Sequence, residues 1–236
     1  GNVLSAGQGQ APARQASFNA GLSDNVPAVT LNKMCGSGLK SVIYAHDQIK
    51  AGTSELIAAG GMESMTNAPY LSPKMRAGAR VGHQRMYDHM FLDGLEDAYE
   101  PGRLMGTYAE DTAELFQFTR EQQDEYAIGS LNNALNAQKE NAFEKEISPV
   151  TIKTRKGEIT IKDDEQPKNA QPEKIPNLKP AFKKDGTVTA ANSSSISDGA
   201  AALLISSEER AGELSLPIRA TILGHTVHAQ KPGMFT

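Results

Sequence analysis

Apolar and polar positions in the first third of the chain follow two spacings. Apolar residues recur at three- and four-residue intervals from Leu39 to Ile49, which predicts a helix that ends at Gly52. Shorter β-prone runs flank it at residues 28–31 and 56–59. A strand, a helix and a buried strand in this order predict a βαβ unit with a parallel sheet, and therefore the α/β fold class.

The pattern changes after about residue 66. Residues 66–106 contain several prolines and no long periodic run, which indicates loop-rich structure. Two sequences of the capping-box type follow, at 107–110 and 119–122, and each predicts the start of a helix. Residues 146–162 are strand-like, residues 200–205 suggest another buried strand, and residues 218–227 are again β-prone.

Composition and charge exclude several classes of protein. The 236 residues have 39% hydrophobic content and a net charge of −4, which gives no general attraction to nucleic acid or to an anionic membrane. A single cysteine excludes an internal disulfide framework and suits a reducing compartment. No apolar run approaches the ~20 residues of a membrane span, and the first residues do not resemble a signal peptide. We therefore expect a cytoplasmic protein.

Cys35 is the only cysteine, and it lies in the run Met34-Cys35-Gly36-Ser37-Gly38 between a predicted strand and a predicted helix. Free backbone N–H groups and the positive end of the helix dipole favour a negative charge there. Because the thiolate is the reactive form of cysteine, this position indicates a nucleophile. A buried structural thiol is the alternative, since free cysteines are commonly buried. The flanking glycines and the strand–turn–helix context favour the nucleophile.

Two further features are less specific. Small side chains dominate the run from Thr187 to Gly199, which allows a ligand or another segment to approach the backbone closely. The histidines show no spacing that implies a metal site, so we expect surface or packing roles for them and no bound metal. They are His46, His83, His89, His225 and His228.

Together these motifs resemble the thiolase family, and most closely its acetyl-CoA acetyltransferase branch. The cysteine motif extends from Asn32 to Leu39. A second motif runs from Gly186 to Asn192 and continues from Ser197 to Ala201. Further agreement at residues 1–4, 13–15, 59–65, 105–110 and 120–124 extends the resemblance through essentially the whole chain.

The resemblance implies a thiolase fold, with five αβαβα layers made of two similar halves and an inserted loop domain. Residues 1–65 and 197–215 would form most of the first half. Residues 66–196 would form the insert, which in this family binds coenzyme A and in many members holds a tetramer together. Residues 216–236 would begin a second half that is largely missing.

The implied activity is acyl transfer. Cys35 would be the acylated nucleophile of a Claisen condensation that joins two acetyl-CoA molecules into acetoacetyl-CoA, and of the reverse thiolysis. Coenzyme A thioesters would be the substrates, and no tightly bound cofactor is implied. The positions that match the family's pantetheine and nucleotide contacts are Leu95, Met105, Phe182, Ala190, Ser194, Ile196 and Met234.

Three family features do not occur in this sequence: a Gly-His-Pro histidine, a second catalytic cysteine and an Asn-Glu-Ala-Phe asparagine. We therefore expect an N-terminal fragment with negligible turnover by itself, which belongs to a homo-oligomer, a dimer of dimers, at full length. Neither nucleic acid nor membrane is an expected partner. Two alternatives remain: a 3-ketoacyl-CoA thiolase that acts on longer acyl chains in fatty-acid degradation, and a non-catalytic coenzyme A-binding module of the same fold.

Overall fold

The computed structural model describes all residues from Gly1 to Thr236, in two compact units. The first unit comprises residues 1–105 and 196–232, and the second comprises residues 106–195 and 233–236. None of the helices combines the length and the apolar character needed to cross a bilayer. The assignment of residues 66–196 to a coenzyme A-binding insert stays a prediction.

The first unit contains one long helix, one paired sheet and several short elements. Its helices are α1 (Pro12–Asn19), α2 (Ser37–Lys50) and α6 (Glu208–Glu213), and its strands are β1 (Leu56–Ser64), β2 (Tyr70–Leu71), β3 (Tyr87–Asp88) and β6 (Asp198–Ser206). A 3-10 turn at Met75–Ala77 and a π-helical turn at Phe91–Leu95 complete it. The helix and the strand predicted around residues 39–59 are therefore confirmed.

The predicted parallel sheet is wrong for the strands that this chain forms. β1 pairs antiparallel with β6 from Leu56 opposite Ser206 to Ser64 opposite Asp198. The hydrogen-bond pattern of a parallel pair occurs next to β1 only at Gly1. Its amino group donates to the Gly60 carbonyl, and its own carbonyl accepts from the Met62 amide. Hydrophobic spacing predicts that a strand exists but carries no information about the direction of its partner.

Two other β-prone runs form no strand. Residues 28–31 take part in a single long-range backbone hydrogen bond, from the Asn2 amide to the Leu31 carbonyl at 3.0 Å, which is too little for a ladder. Residues 218–227 have no regular secondary structure. β-propensity measures how well a residue fits a pleated surface, and no neighbouring strand supplies that surface here.

The burial expected for the strands is also wrong. Leu203 and Leu204 of β6 are each 58% exposed, although their run suggested a buried strand. A sheet of only two strands, on which α2 packs, leaves much of its surface uncovered. On α2 itself the predicted apolar face is rotated, because Leu39 is 70% exposed while Ser37 and Ala45 are buried.

Small residues let α2 lie close to β1. A Cβ atom added to Gly61 would come within 2.8 Å of the Gly38 Cα atom, a distance that real Cβ atoms do not reach. Gly38, one of the glycines that follow Cys35, is thus occupied by this helix–strand contact. The glycines fix the position of the N-terminal turn of α2 on the sheet.

Gly61→Ala is therefore expected to lower the free energy of unfolding by about 1–3 kcal/mol through overpacking. Gly129→Ala is the matched control, because Gly129 lies in a helix with no atom within 4 Å of an added Cβ. There the alanine should stabilise the protein by up to about 1 kcal/mol. Urea unfolding of both variants measures the difference, and equal effects would contradict the close contact.

The second unit is mainly helical. It contains α3 (Met105–Leu115, whose first residue belongs to the first unit), α4 (Arg120–Lys139) and α5 (Glu165–Asn169), the hairpin of β4 (Val150–Thr154) and β5 (Gly157–Ile161), and 3-10 turns at Pro172–Asn177 and Pro232–Met234. Its buried apolar residues are Tyr108, Ala113, Ile175 and Val188.

One of the two predicted capping boxes is confirmed. The Thr119 hydroxyl accepts from the Gln122 amide while the Gln122 side chain accepts from the Thr119 amide, so both ends of the motif are paired at the start of α4. The other is wrong, because α3 begins at Met105, before the expected cap at Thr107. Its carboxylate, Glu110, instead accepts hydrogen bonds from a segment far along the chain.

Candidate functional site

Cys35 lies in a tight turn directly before α2. The Gly36 amide donates to the carbonyls of Lys33 at 2.9 Å and Met34 at 2.7 Å. The Ser37 hydroxyl donates to the Lys33 carbonyl at 2.8 Å and accepts from the Lys33 amide at 3.0 Å. These bonds hold the turn on the first residue of the helix.

The backbone of Cys35 is left-handed, with a φ of 55°. A non-glycine residue in this region stores about 1–3 kcal/mol of strain, which persists only where surrounding bonds hold it. The side chain is exposed, so it is not the buried structural thiol of the alternative interpretation. The turn thus presents an exposed thiol directly before the N-terminus of α2.

A cavity of about 490 Å³ in the first unit is lined by Cys35. Of the seven positions suggested for coenzyme A contacts, Leu95 is the one that lines the same cavity. Much of the remaining wall is flexible and apolar, from the side chains of Met34, Met62, Met65 and Met90. This volume lies within the range of small-molecule sites, about 300–1,000 Å³.

The motif from Ser197 to Ala201 also reaches this cavity. Gly199, Ala200 and Ala201 lie in its wall. The carboxylate of Asp198, at the start of β6, accepts from both the amide and the hydroxyl of Thr66. These hydrogen bonds lower the pKa of Asp198, so the stabilisation is present above its ordinary pKa and is lost as pH falls through the lowered value.

Glu63 is a residue of the cavity wall to which the sequence assigned no role. One carboxylate oxygen accepts from the Asn2 side chain at 2.9 Å and from the Leu4 amide at 2.8 Å, and the other accepts from the Val3 amide at 2.9 Å. The carboxylate thereby ties residues 2–4 to the end of β1. An acidic residue near the end of an otherwise apolar strand was the available signal.

His89 supports the segment that carries Leu95. It is 5% exposed, its Nε2 accepts from the Ala6 amide at 3.3 Å, and its Nδ1 lies 2.6 Å from an Asp93 carboxylate oxygen. The pattern assigns the proton to Nδ1, which donates to Asp93. This is the packing role expected for a histidine, and it fixes the π-helical turn beside the cavity.

The other suggested contact residues fall in several places. In the first unit, Met105 begins α3, and Ile196 is 50% exposed just before β6. In the second unit, the Phe182 ring covers Gly106 so closely that an added Cβ would lie 2.3 Å from it. Ala190 and Ser194 are exposed, and Met234 lies in a short 3-10 turn and is 43% exposed.

The loop that carries Ala190 and Ser194 is well anchored. Thr189 is completely buried, and its amide donates to the Asn192 side-chain oxygen at 2.7 Å. The Asn192 amide group in turn donates to Asp124 of α4 at 3.0 Å. Buried polar bonds of this kind order the loop from Thr189 to Asn192, which contains Ala190 and ends two residues before Ser194.

A second hollow, of about 590 Å³, lies in the second unit. None of the seven positions suggested from the sequence lines it. Its lining residues are Phe118, Gln122, Gln123, Glu125, Tyr126 and Asn192. It contains neither a thiol nor a histidine. The cavity at Cys35 is therefore the better candidate for chemistry.

Comparisons with known proteins point in the same direction. A family model described as "Thiolase, N-terminal domain" matches residues 1–209. A probable acetyl-CoA acyltransferase of Staphylococcus aureus (strain COL) is 47% identical over 236 residues, which cover 99% of this chain and 60% of the relative. The chain thus spans about 60% of the length of the curated relatives that it matches.

Two solved structures are also similar. The Acat5 thiolase from Ascaris suum in complex with coenzyme A is 43% identical with a TM-score of 0.84, over 92% of this chain and 55% of that one. The acetyl-CoA acetyltransferase from Syntrophomonas wolfei is 39% identical with a TM-score of 0.86, over 92% of this chain and 54% of that one.

Proposed function

Since this chain belongs to the thiolase family, we propose that it supplies the nucleophile of an acyl-CoA acyltransferase, with Cys35 as the residue that carries the acyl group. The family and the thiolase fold predicted from the sequence are both confirmed. The observation that carries the proposal is the exposed Cys35 thiol on a left-handed turn at the cavity wall.

The first half-reaction is thioester exchange. The Cys35 thiolate attacks the carbonyl carbon of an acyl-CoA, the bond to the coenzyme A sulfur breaks, and that sulfur leaves as a thiolate. One thioester is consumed and one is formed, so the step is close to isoenergetic. The Cys35 amide has no hydrogen-bond partner within the chain and is available to stabilise the developing oxyanion. One such donor is worth about 2.7–4 kcal/mol in comparable sites.

The second half-reaction forms the carbon–carbon bond. A base removes a proton from the methyl group of acetyl-CoA, and the resulting carbanion attacks the acyl group on Cys35. Acetoacetyl-CoA forms, and the Cys35 thiolate is released. We propose that the base is the second cysteine implied by the family resemblance, which these 236 residues do not contain.

We further propose that coenzyme A contacts the seven matching positions. Leu95 supports this best, because its side chain shares the cavity with Cys35. Met105 and Ile196 belong to the same unit, and Phe182, Ala190, Ser194 and Met234 belong to the other. The relative from Ascaris suum was solved with coenzyme A, which supports the same ligand here.

A longer acyl chain is the second candidate substrate. The methionine-lined wall favours it, because methionine side chains adapt to ligands of different shape. The test compares kcat/KM for acetoacetyl-CoA and for a longer 3-ketoacyl-CoA in the full-length enzyme. Acetoacetyl-CoA should be preferred; a preference for the longer substrate would assign the enzyme to fatty-acid degradation instead.

Ser194 provides a separate test of the coenzyme A contacts. Ser194→Phe should raise the KM for acetyl-CoA by roughly tenfold with little change in kcat. The contact that it removes would stabilise the bound substrate and the transition state equally. Ser130→Phe is the control, since Ser130 is exposed on α4 and is not a suggested contact. Steady-state kinetics of both variants decides, and an unchanged KM in Ser194→Phe would remove this residue from the site.

The oligomeric state and the cytoplasmic location of the protein stay predictions. We propose a homo-oligomer, with acyl-CoA as the small-molecule partner and a role in lipid metabolism. Sedimentation of the full-length enzyme would measure its oligomeric state, and a monomer would contradict the dimer of dimers expected for this branch.

A further inference from the structure

Two histidines and an aspartate meet on the surface of the first unit, away from the thiol. His46 and Asp47 are neighbours near the end of α2, and His225 belongs to the irregular segment that follows α6. The His225 Nε2 atom lies 2.7 Å from an Asp47 carboxylate oxygen, and the His46 Nδ1 atom lies 3.1 Å from the same oxygen. The two imidazole rings are edge to face, with centroids 5.1 Å apart.

The spacing of these atoms suits a small divalent cation. One ligand atom from each of the three side chains lies within 4.8 Å of the other two. Zinc binds imidazole nitrogen at about 2.0–2.1 Å and carboxylate oxygen at about 2.0–2.2 Å, so two donors of a tetrahedral site are about 3.4 Å apart. Shifts of less than about 1 Å in the two contacts with Asp47 would therefore bring these donors to that spacing, and the Asp47 side chain, which is 51% exposed, has room to move.

The local charge also favours a cation. The Asp47 carboxylate brings a negative charge to the point where the two imidazoles meet. Asp47 lies in the last turn of α2, near the negative end of the helix dipole. Two imidazoles and one carboxylate are a donor set that suits zinc and the neighbouring divalent transition metals.

We propose that His46, Asp47 and His225 form a site for a divalent cation of the zinc type, with water completing the coordination. On binding, each imidazole presents a nitrogen lone pair in place of the N–H that it now directs at Asp47, and its proton moves to the other ring nitrogen. The ion would join α2 to the irregular segment after α6. It would lie at the end of α2 opposite Cys35, and its role is structural.

The experiment uses zinc chloride alone as the probe, with the full chain and a chromophoric chelator as competitor. The variants His46→Gln, Asp47→Asn and His225→Gln each remove one donor, and His228→Gln is the matched control because His228 is exposed in the same segment. Binding by the parent and by Cys35→Ser is compared, so that a site on the thiol is recognised. Replacing zinc with cobalt gives an absorption spectrum that reports the ligands.

The parent, His228→Gln and Cys35→Ser should each bind one equivalent of zinc. Loss of a residue that only hydrogen-bonds to a metal ligand already weakens metal sites by about 10–100-fold. Loss of a direct ligand should therefore weaken binding by at least about tenfold in each of the three donor variants. Absence of zinc binding by the parent, equal affinity in the donor variants, or loss of binding in Cys35→Ser would each overturn the proposal.

Discussion

Cys35→Ser is expected to abolish covalent acetylation and to lower kcat/KM of the full-length enzyme by about 10⁴-fold or more. Removal of an attacking nucleophile has effects of this size or larger in other covalent acyl-transfer enzymes. The serine hydroxyl is nearly isosteric with the thiol but is a weak nucleophile at neutral pH without an adjacent base. The turn should persist, because it is held by bonds of Lys33, Gly36 and Ser37 and not by the thiol.

The measurement has two parts. After incubation with acetyl-CoA, peptide mass spectrometry should place one acetyl group on the peptide that contains Cys35, and no acetylation should occur in the variant. Met65→Leu serves as the control, because it keeps the volume of another cavity-lining side chain and such swaps usually cost less than about 1.5 kcal/mol. Acetylation that persists in Cys35→Ser would contradict the assignment, and failure of the parent to acetylate would favour a non-catalytic coenzyme A-binding module.

Glu110→Ala is expected to lower the free energy of unfolding by about 2–6 kcal/mol, because it leaves two backbone amides without their acceptor at a cost of about 1–3 kcal/mol each. Glu110 is 4% exposed. One oxygen of its carboxylate accepts from the Val188 amide at 2.9 Å, and the other accepts from the Thr187 amide at 2.9 Å. Alanine would leave both amides unpaired, one of them fully inside the protein.

Glu114→Ala is the matched control for this prediction. Glu114 lies one turn further along α3, and its ion pair with Lys183 is exposed to solvent, so its loss should change the free energy of unfolding little. Urea unfolding of each variant measures the loss in free energy of unfolding. Hydrogen exchange at the amides of Thr187 and Val188 shows whether the loop itself opens more often. Similar losses in the two variants would show that the buried carboxylate does not hold this loop.

Interactions between residues close in the sequence were sufficient to predict several local elements of the structure. The apolar spacing from Leu39 to Ile49 predicts α2, and the bonds of a helix are all made within a few residues. The same holds for the capping box at Thr119, whose partners are three residues apart. The turn at Cys35 was predicted in the same way, because the start of α2 follows it directly in the sequence. The family was predicted from motifs that are continuous in the chain.

Other features could not be predicted, because they depend on partners far along the chain. The carboxylate of Glu110 was expected to cap its own helix, but it pairs with amides 77 and 78 residues away. The direction of β6 and its exposure depend on which strand it meets and on what covers the sheet. Apolar spacing reports neither.

The cysteine and the histidines show the same division between sequence and tertiary structure. Residues 34–38 and the apolar repeat after them place the Cys35 thiol at a helix start, because the interactions that form this turn act over a few residues. Whether that thiol is exposed, and which methionines face it, was decided by the packing of α2 on β1. His225 lies 178 residues from Asp47, so the meeting of these two side chains was decided only by folding, because no local interaction links positions so far apart.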